Sequence, residues 1–303
     1  MNSSRNSSGG RHQEKKKPLK SSSKKFDAKR KFSDSSKPKT FKSSSELEGA
    51  KRPQRFETKK YDQAIEKMEV YLDNTPQELD LLELMGDAYG FKSEWSKAAV
   101  YYEKLMTIDE ANANYNYKYG GVLGKLAKEG SKLKALSLIP KVKSAFLKAA
   151  KLDSNFIEVR WALVELYTQL PGFLGGNYSK ALDFADEIEQ ISPINGYFSK
   201  AYINDHSGKD ATAKLYYSKG LDSLKELSCF ENKQSEATHS KSHLNSLHYL
   251  IAKGSVVTNT QLNTGQRYIK YYIRLFSSKD REGLEAAFLL QSQILKLKSQ
   301  TSE

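Results

Sequence analysis

The stretch LLELMGDAYGFKSEWSKAAVYYEKLM, residues 81–106, decides how the rest of the chain is read. Leu82, Met85, Gly86 and Tyr89 recur at the three- and four-residue spacing of one helix face, and Ala98 and Tyr102 repeat that spacing on a second segment. The residue types have a physical reason. A small residue at Gly86 and at Ala98 lets two antiparallel helices approach closely, and the rings of Tyr89 and Tyr102 fill the space left beside them.

The same pattern returns about 34 residues later, Ala64 recurring as Ala98, Gly86 as Gly120, and Tyr89 replaced by Leu123. A fixed period of that length predicts an array of helix pairs. In the next pair Tyr119, Gly120 and Leu123 sit on the first helix, and an insertion precedes a second helix with Val142, Phe146 and Ala149 at its core. A further pair carries Leu163, Val164 and Tyr167, then Ala181, Ala185, Ile188 and Pro193, and another spans 195–224 with Tyr202, Ala213 and Tyr217. Three last helices are expected over 242–258, 264–276 and 280–299, and Pro76 and Pro193 are read as helix closers because proline cannot continue the hydrogen-bond ladder.

This spacing resembles the tetratricopeptide repeat, as does YDQAIEKMEVYLDNTP at 61–76. The resemblance covers residues 60–225 and implies an all-α fold, a right-handed α-solenoid of antiparallel helix pairs. The pairing of VRWALVELY (159–167) with LPGFLGGNYSKAL (170–182) is further similar to a bacterial subgroup of such proteins, whose members are usually exported. The chain departs from that subgroup at its start: a second helix is legible from residue 60, but the positions of a first helix fall on Glu48, Lys51, Arg52 and Arg55.

LPGFLGGN, with its proline and three glycines, raises the question of a phosphate-cradling loop. Such loops follow a strand and end in Gly-Lys-Ser/Thr or carry GxGxxG, and neither holds here. It reads instead as the connector of one helix pair. Pro171 stops the first helix, Gly175 and Gly176 supply positive φ, and Phe173 and Leu174 tuck onto the hairpin.

The formal net charge of +13 belongs to one end of the chain. Residues 1–60 hold 19 of the 49 Lys+Arg and 6 of the 36 Asp+Glu, which leaves 30 of each sign for the remainder. The tail, 1–57, is Ser- and Lys-rich with isolated Phe26, Phe32 and Phe41, too little apolar surface to offset its ordering entropy, so disorder is expected. Two readings stay open for it: a solubilising segment, or an arm that releases counterions from nucleic-acid phosphates. The expected organisation is a tail at 1–57, repeats at 58–225, a polar linker at 226–241 and C-terminal helical repeats at 242–303. No apolar leader follows the basic start, an argument for the cytoplasm that the exported relatives of the subgroup oppose. One cysteine, Cys229, rules out an internal disulfide, and no run approaches the length of a membrane span.

Other candidate chemistry is weak. Cys229, His239, His243 and His248 lack the glutamate of an H-E-x-x-H site and any C-x-x-C partner, so no metal and no cofactor is expected. QRYIKYYIRLF, 266–276, aligns Tyr268, Tyr272, Leu275 and Phe276 as one core stripe, and the Lys-rich run 125–151 reads as the solvated side of a helix interrupted at Pro140.

The resemblance implies that ligands lie along the first helices, at the second, fifth and ninth positions of each. Those are Asp80, Glu83 and Asp87; Asn114, Tyr117 and Gly121; Glu158, Trp161 and Glu165. The implied groove is acidic with two aromatic residues, Trp161 being either a hot-spot residue or part of the core. Its acids suit a basic partner, the chain's own tail included. Two functions follow: a non-enzymatic scaffold that binds a protein partner in the groove, or a nucleic-acid-associated factor gripping RNA through residues 1–55.

Overall fold

The computed structural model describes residues 60–224 and 241–300. Within these residues the chain is helical throughout, with no strand. Helix α1 occupies 60–74, followed by α2 (Leu79–Phe91), α3 (Trp95–Ile108), α4 (Ala113–Glu129), α5 (Lys132–Leu152) and α6 (Ile157–Gln169). Then come α7 (Tyr178–Ile191), α8 (Pro193–His206), α9 (Asp210–Asp222), α10 (Lys241–Thr258), α11 (Leu262–Leu275) and α12 (Leu284–Gln300). Each helix from α2 to α9 packs on the next in sequence, α10 packs on α9 and α11, and α11 on α12. The first helices of successive pairs also touch, α6 with α8, α8 with α10 and α10 with α12. That is a tetratricopeptide-like solenoid, stabilised by contacts between neighbouring pairs. No helix among the described residues is long and apolar enough to cross a membrane.

The close approach expected at the small residues is real. A Cβ on Gly86 would lie 2.5 Å from Tyr102 Cε1, and one on Gly120 would lie 2.7 Å from the Phe146 ring. Ala98, Ala149, Ala181, Ala185, Ala201 and Ala213 are buried at the equivalent crossings. One core cluster runs from Ile65 to Tyr268, so the C-terminal helices continue the array, with a second cluster around Ile269, Tyr272, Leu290 and Ile294.

Several details differ from expectation. The insertion after Gly120 lengthens the pair instead of forming a loop: α4 and α5 are joined by Gly130 and Ser131 alone. Pro140 lies inside a continuous α5, which begins at an Ser131 cap whose hydroxyl accepts from Lys134 N. Pro193 opens α8 as its first residue, where its missing N–H has no role, with Ser192 ending α7 and preceding α8. The core stripe of α11 is Gly265, Tyr268, Ile269 and Tyr272, while Leu275, the helix's last residue, is exposed. The tail at 1–57 and the linker up to residue 240, with Cys229 and His239, lie outside the described residues.

The connector at 170–177 is compact, with a single 3-10 turn at Gly172–Leu174. Leu174 N and Gly176 N donate to Pro171 O, Gly175 N to Gly172 O, and Asn177 N to Tyr167 O at 2.8 Å, so these amides face inward rather than toward a ligand. Gly175 takes φ +93°, but Gly176 does not need a positive φ: it is required because a Cβ there would collide with Leu170 O. Leu174 is half-buried and lines the cleft described below. Phe173 does not tuck onto the hairpin, being 85% exposed on the outside of the turn.

Replacing Gly86 or Gly120 by Leu is expected to cost on the order of 1–3 kcal/mol, because a ring and two backbones must move apart. Urea unfolding checks this, and unchanged stability in both variants would contradict the packing. His248 offers a second test. It is buried on α10 against the Tyr268 and Tyr271 rings, and burial, with Arg274 adding repulsion, pushes it down to about 4 from 6.5. As the pH falls from 6.5 toward about 4, the unfolded chain takes up a proton at His248 that the folded chain refuses, so stability falls through that window. The loss amounts to about 2–3 kcal/mol. Its disappearance from the melting profile of His248→Leu is the expected result, and an unchanged profile would rule out this source.

Candidate partner-binding cleft

Helices α2, α4 and α6 each present three residues, a turn or so apart, toward one face. On α2, Asp80 is exposed, whereas Glu83 and Asp87 are half-buried and not free. Lys118 of α4 pairs with both, at 2.6 Å to Glu83 Oε1 and 2.8 Å to Asp87 Oδ2. Asn114 donates to Glu83 Oε1 at 2.8 Å, and Tyr102 donates its hydroxyl to Asp87 Oδ1 at 2.8 Å. On α4, Tyr117 packs between the Phe146 and Phe156 rings, and a Cβ on Gly121 would meet open space. On α6, Glu158 and Trp161 are each 3% exposed, and Glu165 is half-buried. Trp161 is therefore floor, not a projecting anchor, in a T-shaped contact with Tyr202.

The acidity expected of this face is largely cancelled, and from an unexpected quarter. The connection 276–283, between α11 and α12, lies across it. Lys279 Nζ reaches Asp87 Oδ1 at 2.8 Å and stands 4.0 Å from the centroid of the Phe91 ring. Two residues on, Arg281 pairs with Glu165 and lies 4.9 Å from the Trp161 ring and 5.2 Å from that of Tyr202. Ser278 donates its hydroxyl to the carbonyls of Gly90 and Phe91 at the C-terminal end of α2, where cations are also favoured. Lys125 of α4 donates to Ser278 O and Asp280 O, both at 3.3 Å. Asp280 shapes the turn itself, accepting from Ser277 N at 2.6 Å and from the buried Asn245 amide at 2.9 Å.

These neighbours set the charge states. Burial alone raises Asp87, but Lys279 and Lys118 outweigh it and hold the carboxyl below its usual range. Glu165 goes the other way, burial raising it against the pull of Arg281. Lys125 and Lys279 are both lowered by burial.

Beside the connection, the face opens into a cleft of about 500 Å³. The lengthened α5 supplies Ala135, Ile139, Val142 and Phe146, α6 supplies Trp161, Ala162 and Leu166, and the LPGFLGGN connector supplies Leu170 and Leu174. Gly121, Glu158 and Glu165 line it too, with Lys125, Lys128, Gln169 and Arg281 as charged or polar rim. Asp80, Glu83, Asp87 and Asn114 stand apart from this cleft, Glu83 and Asp87 being held by Lys118 and Lys279. Sequence reasoning named the stripe but missed Lys118, Lys125, Lys279 and Arg281. Periodicity predicts helix from residue 280, but the paired serines and glycine of FSSKDREG are breaker signals and the helix begins at Leu284. No group of three or more His, Cys, Asp and Glu able to hold a metal occurs among the described residues.

No family model matches the chain, and no curated protein matches it. Solved structures do. MamA is 18% identical over 65% of this chain and 97% of its own, with a TM-score of 0.45. A tetratricopeptide repeat protein from Parabacteroides merdae is 12% identical over 83% of this chain and 99% of its own, at a TM-score of 0.44. The Cut9–Hcn1 hetero-tetramer of the APC/C is 13% identical over 80% of this chain and 44% of that chain, at 0.46.

Arg281→Met leaves the half-buried Glu165 without its cation and is expected to cost about 1–3 kcal/mol in urea unfolding. Adding Glu165→Gln should recover part of that loss. A double variant no more stable than Arg281→Met alone would show that the pair does not act as a unit.

Proposed function

We propose that the chain is a non-enzymatic scaffold that holds a segment of another protein along the face formed by α2, α4 and α6. The observation that carries this reading is the cleft of about 500 Å³, apolar on its walls and charged at its rim, beside a face whose Glu83, Asp87 and Glu165 are already paired with cations. Apolar side chains of a bound segment gain burial there, and the rim fixes orientation. Tyr117, Glu158, Trp161 and Glu165 line the cleft, and Asp80, Glu83, Asp87 and Asn114 extend the contact stripe beyond it along α2 and α4. The favoured partner is a basic segment. The LPGFLGG-type connector, which walls the cleft through Leu170 and Leu174, supports kinship with the bacterial subgroup that carries it.

A second reading rests on the basic surplus of residues 1–60, which suits an RNA-binding arm with the repeats recruiting protein. Gly121 separates the two. A Cβ there meets nothing within 4 Å and Gly121 lines the cleft, so Gly121→Phe puts a ring into it from a position with room for a side chain to start. Proteins captured by the wild-type chain from nuclease-treated lysate should be lost with Gly121→Phe while the melting temperature is kept. Equal capture by both would contradict binding in the cleft, and retention on RNA that depends only on residues 1–55 would favour the second reading.

A further inference from the structure

The connection 276–283 behaves as a ligand in all but covalent attachment. Among its residues only Phe276 is apolar and large, and it packs on α11's own cluster; what reaches across to α2, α4 and α6 is two cations, a serine hydroxyl and backbone carbonyls. Such contacts are polar and half-buried, so the cations of another polypeptide can replace them, and salt weakens them more than the apolar seams that hold the helix pairs. Without the connection, Glu83 and Asp87 share a single cation, Lys118, and Glu165 loses Arg281, which leaves two anionic positions spaced for side chains two residues apart. Each has an aromatic partner for the incoming cation, Phe91 at one and Trp161 with Tyr202 at the other.

Building on the groove-binding reading, we infer that residues 278–281 are a tethered stand-in for the external partner, and that this partner is a polypeptide segment carrying two cations in a Lys-x-Arg spacing, which displaces the connection when it binds. The lysine of the partner takes the place of Lys279 between Asp87 and Phe91, and its arginine that of Arg281 against Glu165 and Trp161. Arginine is specified at the second position because a planar guanidinium can lie over an indole while it pairs with a carboxylate, which an ammonium does less well. Lys279 and Arg281 both border the apolar cleft, so a segment bound in their place lies beside a continuous surface from α2 to α5.

The test is competition in the full chain. The probe is a fluorescent, end-blocked peptide, Phe-Ser-Ser-Lys-Ala-Arg-Ala-Gly, followed by anisotropy at low ionic strength. It should bind the Lys279→Gln/Arg281→Gln double variant at least about tenfold more tightly than the wild-type chain, because a tethered competitor occupies the site at high effective concentration. Lys279→Gln alone keeps the Glu165–Arg281 pair and so guards against a misfolded double variant; it should bind with intermediate affinity. Adding Asp87→Asn and Glu165→Gln to the double variant should abolish binding. Equal affinity for wild type and both variants would overturn the stand-in role, and equal binding of a Glu-Ala-Glu version of the peptide would overturn the cationic partner. Absence of binding to every variant would also overturn that partner's chemistry, while loss of captured proteins with Gly121→Phe would still uphold the groove itself.

Discussion

The structure depends on how closely the two helices of a pair can approach. At Gly86 and Gly120 the facing rings of Tyr102 and Phe146 occupy space that any side chain would need, and alanines do the same service further along. A helix pair of this size cannot bury its apolar face alone. Stacked pairs can, and the shared core from Ile65 to Tyr268 is the result. The spacing of small residues thus fixes both the hairpin and the surface it offers to the next hairpin.

That stacking has an electrostatic consequence. First helices lie side by side, so a carboxylate at the same position on each would form a row of like charge on one face. The chain balances the row with cations from two sources. Lys118 lies on the next helix and satisfies Glu83 and Asp87 locally, while Lys279 and Arg281 arrive from the connection between α11 and α12. The same connection, the LPGFLGGN turn and the lengthened α5 all line the cleft. Three irregularities of the described residues therefore meet at one place, which is the structural reason to propose that place as functional.

Much of this was legible in the sequence, and the limits have physical causes. The pattern Leu82-Met85-Gly86-Tyr89 with Ala98-Tyr102 encodes contacts within one pair, separated by few residues, and the fold follows from it. The positions from Asp80 to Glu165 rest on the resemblance, and helix spacing adds only that residues so spaced on one helix share a face. Periodicity could not specify what covers that face. Lys279 meets Asp87 from the far end of the chain, and nothing local to either residue encodes the pairing. Trp161 was ambiguous because its position on α6 is both groove-facing and roofed by Arg281. Pro140 misled for a different reason: proline disfavours a helix interior, but packing of Val142, Ala145 and Phe146 against α4 holds α5 continuous through it.

The central claim is that the connection 276–283 ties the C-terminal pairs to α2 through charge. A double-mutant cycle between Asp87→Asn and Lys279→Gln, measured by urea unfolding at low and high salt, addresses it directly. The account predicts a favourable coupling of about 0.5–1.5 kcal/mol at low salt that shrinks as salt is added. Purely additive effects of the two substitutions at low salt would contradict it.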